Sequence, residues 1–428
     1  MSNLHEESNM SFLYAALGIS LCISVPLVSF GPSFAVWPSL SLIALLSLGG
    51  LSLYNLALVI GSMDKINGTL MWVIPLYLLI DTCLGLIQFN VPIQYPLWTL
   101  SVFFLWIIVI PWLFFEKDNY VMRALAWGIF IGAIINAFSV IADMYGMSPA
   151  LLLLRQVNLD TSGPWQFLAS PDFFKYSGGV GLFSYSRTST GFLLATVSAL
   201  CFVLIDRERW RVMVQLIFFT AILYTGSRLG FLSWIFVMLS GYRNAGVQKG
   251  VLLLVGFISF FYMGLFFGFF DLDGLQGRLF NLNESYSHAL SIRINHQISF
   301  MNGHASSLLK YVFGSGPGIS GYALGLNKLG FNIYEAHGSI FQYLADVGAI
   351  GFILFVVVLI RAMKGCWRYF SLWGILLSFG LSTVVDDLFF PKTQSVFTPV
   401  IFAIVFIAMK SNAQRVQGTK DFLCERRC

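Results

Sequence analysis

The stretch Glu335-Ala336-His337-Gly338-Ser339 leads from a long polar segment directly into the apolar run Ile340 to Ile360. A run of about 20 apolar residues is long enough to cross a membrane as a helix. The imidazole of His337 and the carboxylate of Glu335 therefore stand at the boundary between water and lipid. Chemistry on a lipid-linked substrate has to take place at this boundary, so the stretch is a candidate site as well as the start of a span.

Composition extends the membrane assignment to the whole chain. Of the 428 residues, 57% are hydrophobic and only 11% are charged, whereas soluble domains contain about 25% charged residues. The hydrophobic runs supply about twelve segments of spanning length. We therefore predict an all-α polytopic membrane protein in which residues 1–428 form a single transmembrane domain. The expected spans are approximately 11–30, 36–62, 70–88, 97–115, 123–146, 188–205, 211–225, 228–241, 250–270, 339–360, 369–390 and 395–410.

The distribution of positive charge predicts the orientation. Lys and Arg near span ends mark the cytoplasmic side. With the N-terminus inside, sixteen of the 25 Lys and Arg residues fall inside and nine fall outside. The two long connections, 147–187 and 271–338, then form a first and a larger outer loop. The outer arginines oppose the general bias, so they require a specific reason.

Arg228 has the strongest such reason. It lies where the first of two short apolar segments, 211–225 and 228–241, gives way to the second, and it is the first residue of the second. The residues before the first segment and after the second are both basic and therefore cytoplasmic. A helix of 15 residues reaches only about 22 Å, less than the roughly 30 Å hydrocarbon core. The turn that carries Arg228 should then lie below the outer surface, where a charge normally faces a cavity or a partner. The alternative is that its side chain extends to lipid head groups.

Arg187 stands at the start of the predicted span 188–205. The exposed N–H groups of a helix start attract anions, and a guanidinium binds phosphate through two parallel hydrogen bonds. The pattern indicates a phosphate site, and ordinary interfacial anchoring is the alternative.

The larger outer loop favours no metal site. It holds His288, His296, His304 and His337, and the first three are eight residues apart. Zinc sites use closer pairs of ligands, so we expect neither a metal nor another cofactor. The segment Leu290 to Leu309 has the apolar spacing of an amphipathic helix.

Two further features of the sequence allow a structural and a functional interpretation. Gly314-Ser315-Gly316-Pro317-Gly318 is either a simple turn or a segment whose N–H groups bind an anion. Asp346 lies about two turns inside the predicted span 339–360, and an acid at such a depth normally pairs with a cation. It is either a counter-ion for the arginines or a functional group, that is, a base or a group that orients His337.

Several of these motifs resemble, in order and spacing, those of the O-antigen polymerase and O-antigen ligase superfamily. The resemblance covers roughly 187–360. The motifs that carry it are Thr225-Gly226-Ser227-Arg228-Leu229-Gly230, Arg293, Val312-Phe313-Gly314-Ser315-Gly316, Ala336-His337 and Tyr343-Leu344-Ala345-Asp346-Val347-Gly348-Ala349-Ile350-Gly351.

The resemblance implies a bacterial inner-membrane glycosyltransferase of the GT-C type that acts at the periplasmic face on glycans linked to undecaprenyl diphosphate. It implies catalytic roles for Arg228 and Arg293 on the diphosphate and for His337. Contacts to the substrate are expected from Arg187, Arg278, Glu335 and Asp346. Gly338 stands where the family usually has Asn, and Asp346 stands where it often has Glu.

The implied function is a polymerase that joins lipid-linked oligosaccharide repeat units into O-antigen or exopolysaccharide chains by inverting transfer. A ligase that moves finished glycan onto lipid A core is the nearest alternative, and a lipid-linked sugar flippase without chemistry is the second. Expected partners are the lipid-linked glycans, membrane lipid, a chain-length regulator and a flippase. No nucleic acid is expected.

Overall fold

A computed structural model describes residues 2–25, 39–55, 61, 65–89, 91, 93–115, 119–156, 179–184, 186–242, 247–266, 294–303, 305–320, 338–364, 366, 369–386, 388 and 396–425. Of the described residues, 84% are helical and none lies in a strand. The predicted all-α class is therefore confirmed. Arg278, Arg293, Glu335 and His337 lie outside the described residues, as does most of the two predicted outer loops.

The helices follow one another along the chain. They are α1 (Ser2–Leu21), α2 (Leu40–Tyr54), α3 (Lys65–Gln88), α4 (Gln94–Phe115), α5 (Asn119–Met144), α6 (Pro149–Gln156), α7 (Arg187–Ser198), α8 (Cys201–Leu204), α9 (Glu208–Thr225), α10 (Arg228–Gly241), α11 (Val247–Phe266), α12 (residues 294–303), α13 (Leu308–Phe313), α14 (Ser339–Ala362), α15 (Trp373–Val385) and α16 (Thr398–Glu425). A 3₁₀ turn over Phe370–Leu372 precedes α15.

Five segments of the described chain are long and apolar enough to cross a membrane, judged by length and composition. They are Gly68–Gln88, Pro96–Phe114, Tyr120–Met144, Arg187–Leu204 and Ser339–Arg361. Shorter apolar helices cover Met10–Leu21, Leu40–Tyr54, Arg228–Gly241, Gly250–Ser259 and Trp373–Val385. These helices fit a membrane protein, and the total of twelve spans stays a prediction.

Close helix crossings at small residues hold the bundle together. A Cβ on Gly18 of α1 would lie 2.6 Å from the carbonyl oxygen of Leu125 in α5. Contacts of this kind bring two backbones together and are typical of helices that pack in a membrane. The large apolar side chains of the same helices then fill one continuous core, which includes Trp112, Trp234 and Phe406.

The structure differs from the predicted helices in two places. Gly348 interrupts α14 with φ 66° and ψ −175°, because the backbone of Gly314 lies directly against it. The predicted helix Leu290 to Leu309 is not continuous, since its described part ends at residue 303. A second helix, α13, begins after Ser307, whose Oγ accepts a hydrogen bond from the N–H of Lys310 at 3.2 Å. Serine is a favoured residue for capping a helix start in this way.

A buried polar network ties α7, α9 and α10 to one another. The Gln215 side chain of α9 accepts a hydrogen bond from Trp234 Nε1 at 2.9 Å and donates one to the carbonyl oxygen of Ser198 at 2.9 Å. All three residues are buried. Hydrogen bonds between buried groups specify a single arrangement of the helices that carry them, so this network fixes how α7 and α10 lie together.

Candidate functional site

Arg187 and Arg228 are each the first residue of a helix, and the two helices begin side by side. A Cβ on Gly230 of α10 would lie 2.6 Å from the carbonyl carbon of Gly191 in α7 and 2.8 Å from its oxygen. Gly191 is one turn after Arg187, and Gly230 is two residues after Arg228. The backbone contact therefore places the first turns of α7 and α10 next to each other.

Local hydrogen bonds define the start of α10. Helix α9 ends at Gly226, which has the left-handed φ of 62° that only glycine adopts at little cost. Ser227 then caps α10, because its Oγ accepts a hydrogen bond from the N–H of Gly230 at 3.0 Å. The N–H of Ser227 in turn donates to Thr225 Oγ1 at 3.1 Å. The sharp reversal predicted for this tip is confirmed.

Both of the paired helix starts carry positive charge. The first turn of a helix carries a partial positive charge, and a cation there is disfavoured by about 0.3–1 kcal/mol. Here each of the two adjacent starts carries an arginine. Arg187 is exposed and Arg228 is partly buried. This combination of arginines and helix starts is suited to binding an anion such as a phosphate.

Helix α15 connects this end to the segment that precedes α14. Its Ser378 Oγ lies 3.3 Å from the carbonyl oxygen of Ser233 in α10, and a Cβ on Gly374 would lie 2.6 Å from the carbonyl carbon of Phe236. The two helices are thus antiparallel. The first turn of α10, with Arg228, is therefore level with the last turn of α15.

Two more chain segments meet that last turn. The backbone N–H and the Oγ–H of Ser339 both donate to the carbonyl oxygen of Asp386, at 3.1 and 3.0 Å. Gln297 Nε2 of α12 donates to the carbonyl oxygen of Val384 at 3.2 Å. A Cβ on Gly338 would lie 2.8 Å from this same oxygen. One end of the bundle therefore contains the starts of α10 and α14, a turn of α12 and the end of α15.

Six of the seven predicted site residues divide into three groups. Arg187 and Arg228 begin two helices whose first turns are adjacent. His337 and Arg293 lie outside the described residues, but the residues that follow them, Gly338 and the first turns of α12, lie at the common end. Nothing in the structure bears on Arg278 or Glu335, so both stay predictions.

Asp346 has a different environment from that of the arginines. It is completely buried, and its Oδ2 and Oδ1 accept hydrogen bonds from the N–H groups of Gly318 and Ser320 at 3.0 and 3.1 Å. Its backbone oxygen accepts from the N–H of Gly316 at 2.8 Å. One N–H of the glycine-rich segment 314–318, that of Gly318, therefore does point at an anion, and that anion is a carboxylate of the protein itself. A substrate contact by Asp346 stays a prediction.

The sequence analysis did not identify the residues that hold the end of the first predicted outer loop, 147–187. Asp143 of α5 is buried, and its Oδ2 accepts hydrogen bonds from the N–H groups of Val180 and Gly181 at 2.9 and 2.8 Å. Asn136 Oδ1 accepts from the N–H of Leu182 at 2.8 Å. These bonds fix the described residues just before α7. The sequence did contain a signal for this contact, because Asp143 is a polar residue near the outer end of the predicted span 123–146.

Asp81 of α3 also lies close to the glycine-rich segment. A Cβ on Gly316 would be 3.2 Å from the carbonyl oxygen of Asp81. Its side chain is 4% exposed, and its Oδ2 has no hydrogen-bond partner among the described residues. No pairing of Asp81 with a cation is among the described contacts.

Comparison with known proteins adds no relative. No family model matches the chain, and no curated protein is significantly similar to it. The resemblance in the ordered arginine, glycine and histidine motifs therefore stays a prediction, and function has to be argued from the geometry of the helix starts.

Proposed function

We propose that the chain is a polymerase that joins undecaprenyl-diphosphate-linked repeat units into O-antigen or exopolysaccharide chains. It would act in the bacterial inner membrane, with about twelve spans in a GT-C-type arrangement and a site that faces the periplasm. The observation that carries the proposal is the backbone contact between Gly191 and Gly230, which sets Arg187 and Arg228 at adjacent helix starts.

The diphosphate is the part of the substrate that this arrangement fits. Two guanidinium groups and two helix starts supply positive charge that is in place before the reaction. Such preorganised groups stabilise charge that develops on a leaving group. Arg293 would add a third guanidinium, since α12 meets the same end of the bundle through Gln297.

The reaction needs only one further group, a base. The acceptor hydroxyl oxygen attacks the anomeric carbon of the donor sugar while the bond from that carbon to the phosphate oxygen breaks. Undecaprenyl diphosphate leaves with the electron pair, and the proton passes to His337, whose unperturbed pKa of about 6.5 suits this role. A single displacement of this kind inverts the anomeric centre. His337 immediately precedes Gly338, which lies against Val384.

Transfer by the purified protein tests the proposal most directly. The full chain is mixed with two lipid-linked units in the presence of a chelator and without nucleotide. We expect elongation by the unaltered chain, and a loss of roughly 10²–10³ in rate for Arg228→Ala, the usual effect of removing one charge-stabilising group. Arg209→Ala is the matched control, because Arg209 is an exposed arginine in the first turn of α9, at the opposite end of that helix from Gly226. Equal rates for both variants would overturn the proposal.

The glycan profile of a producing strain separates the alternatives. If the chain is a polymerase, His337→Ala leaves single units attached to their acceptor. A ligase would instead leave long chains on the lipid carrier, and a flippase would leave lipid-linked units on the cytoplasmic side. Unchanged chain length in the His337→Ala strain would count against any role of this residue in polymerisation.

A further inference from the structure

A cavity of about 390 Å³ lies between α3, α4, α14, α15 and α16, away from the arginines of the proposed site. Its walls are mainly aromatic and aliphatic, with Trp106, Phe355, Phe402 and Phe406 among the lining residues. This volume is within the range of roughly 300–1,000 Å³ found for sites that bind small ligands. The lining favours an apolar occupant, such as a hydrocarbon chain.

Two cations mark one end of this cavity. Arg361 of α14 and Lys410 of α16 both line it, and the Nζ of Lys410 lies 3.5 Å from the carbonyl oxygen of Lys364, just beyond the end of α14. Both side chains are partly buried. No Asp or Glu is found among the described residues that line the cavity. The cavity is thus apolar along its length and positively charged at one end.

The lining extends far enough along α14 to accommodate an extended chain. From Val347 to Arg361 the lining follows α14 for about 21 Å at 1.5 Å per residue. One leaflet contributes about half of the roughly 30 Å hydrocarbon core. An acyl chain that starts at Arg361 would therefore fit along the cavity with its end towards Val347.

We infer that this cavity binds an anionic phospholipid of the cytoplasmic leaflet, with one acyl chain among the aromatic residues and the phosphate between Arg361 and Lys410. The charge of the cavity end selects the head group, because each Lys or Arg near an anionic lipid surface favours binding. The inference does not depend on the proposed transfer reaction.

The lipid-linked substrate is not the expected occupant. Its diphosphate would lie at the Arg187 and Arg228 end of the bundle, next to Ser339. Ser339 and Arg361 are the two ends of one apolar segment of 23 residues, which corresponds to about 33 Å of helix. A phosphate at Arg361 therefore belongs to a different lipid from one at Arg228.

Native mass spectrometry of the full chain can detect this lipid. The protein is placed in nanodiscs of phosphatidylcholine with added phosphatidylglycerol, and the lipids that stay bound after release are identified. We expect phosphatidylglycerol to be retained over phosphatidylcholine, and this preference to fall about tenfold or more in the double variant Arg361→Gln, Lys410→Gln. Arg209→Gln, at an exposed position, is the control and should keep the preference for phosphatidylglycerol.

A second pair of variants tests the cavity itself. Val358→Phe places a larger side chain in the lining, whereas Ile353→Phe changes an exposed position of the same helix that is outside the lining. We expect Val358→Phe to lose the bound lipid and Ile353→Phe to keep it. Three results would each overturn the inference. The unaltered chain could retain both phospholipids equally, or it could retain a polyprenyl phosphate instead. The double variant and Val358→Phe could also retain phosphatidylglycerol as the unaltered chain does.

Discussion

The Oδ2 atom of Asp346 lies 3.0 Å from the backbone nitrogen of Gly318, and Oδ1 of the same carboxylate lies 3.1 Å from that of Ser320. These two residues are 28 and 26 positions away along the chain. A single buried carboxylate thus holds an inner segment of the larger predicted outer loop against α14. A hydrogen bond to a charged group contributes about 1.5–3 kcal/mol, so the contact is a main source of order in this segment.

Replacing Asp346 by Asn should loosen this segment. The amide keeps one acceptor, but its NH₂ group faces the second backbone N–H, and a buried donor left without a partner costs about 1–3 kcal/mol. We expect a lower midpoint of thermal unfolding in detergent and faster proteolysis of 314–320. Asp206→Asn, at an exposed acid, is the control. Lost transfer activity with unchanged unfolding would instead make Asp346 a substrate contact.

Gly348→Ala should be among the most disruptive small substitutions in the chain. The backbone there has φ 66° and ψ −175°, a region that only glycine occupies readily and that costs other residues about 1–3 kcal/mol. An added Cβ would also collide with the backbone of Gly314 and Val312. We expect a clear loss of unfolding stability, measured by heating the purified protein.

The matched control for this change is Gly380→Ala. Gly380 lies inside α15, and nothing is within 4 Å of the position of its Cβ. Alanine is favoured over glycine inside a helix by about 1 kcal/mol, so this variant should be as stable as the unaltered chain or more so. If Gly348→Ala behaved in the same way, the break in α14 would not be required by the fold.

The helices were the part of the fold that the sequence could predict. Length and hydrophobicity suffice for this, because a run of apolar residues has to satisfy its backbone within a helix. The short pair around Gly226 was predictable for the same reason, because a short apolar run lies on each side of this residue. The break at Gly348 was not, because a glycine within an apolar run is also common in continuous membrane helices.

The site was predictable only in part. The helix start at Arg187 indicated an anion site there, whereas the short turn at Arg228 indicated only a cavity or a partner, and the diphosphate role of Arg228 came from the resemblance. The proximity of the two helix starts depends on a contact between Gly191 and Gly230 that no local pattern specifies. The role of Asp346 depends likewise on N–H groups from a distant segment, those of Gly318 and Ser320. Neither the structural nor the functional interpretation of its depth in the span included this contact.

The contact between Gly191 and Gly230 should affect activity, although neither glycine is expected to touch the substrate. Gly230→Ala places a Cβ 2.6 Å from the carbonyl carbon of Gly191, so α7 and α10 have to separate. We expect a fall in transfer rate of about tenfold or more, because small displacements of positioned groups are costly in catalysis. The rate is measured with purified protein and two lipid-linked units.

Gly50→Ala serves as the control for this variant, since no atom lies within 4 Å of the Cβ position of Gly50. It should transfer glycan at the unaltered rate. A Gly230→Ala protein with both normal unfolding and normal transfer would show that the adjacency of the two helix starts has no functional role.

Arg228→Lys tests what kind of charge the site needs. Lysine keeps the positive charge but presents it as a point, whereas the planar guanidinium makes two parallel hydrogen bonds to a phosphate. If Arg228 binds the diphosphate of the departing lipid, its contacts strengthen as negative charge develops there, so its loss lowers kcat as well as kcat/KM. We expect kcat to decrease from the unaltered chain to Arg228→Lys and further to Arg228→Ala, while Arg209→Lys leaves kcat unchanged. A change confined to KM would mean that Arg228 holds the substrate equally well before and during the reaction. In that case the negative charge of the transition state would have to be stabilised elsewhere, and Arg187 at the neighbouring helix start would be the next residue to replace.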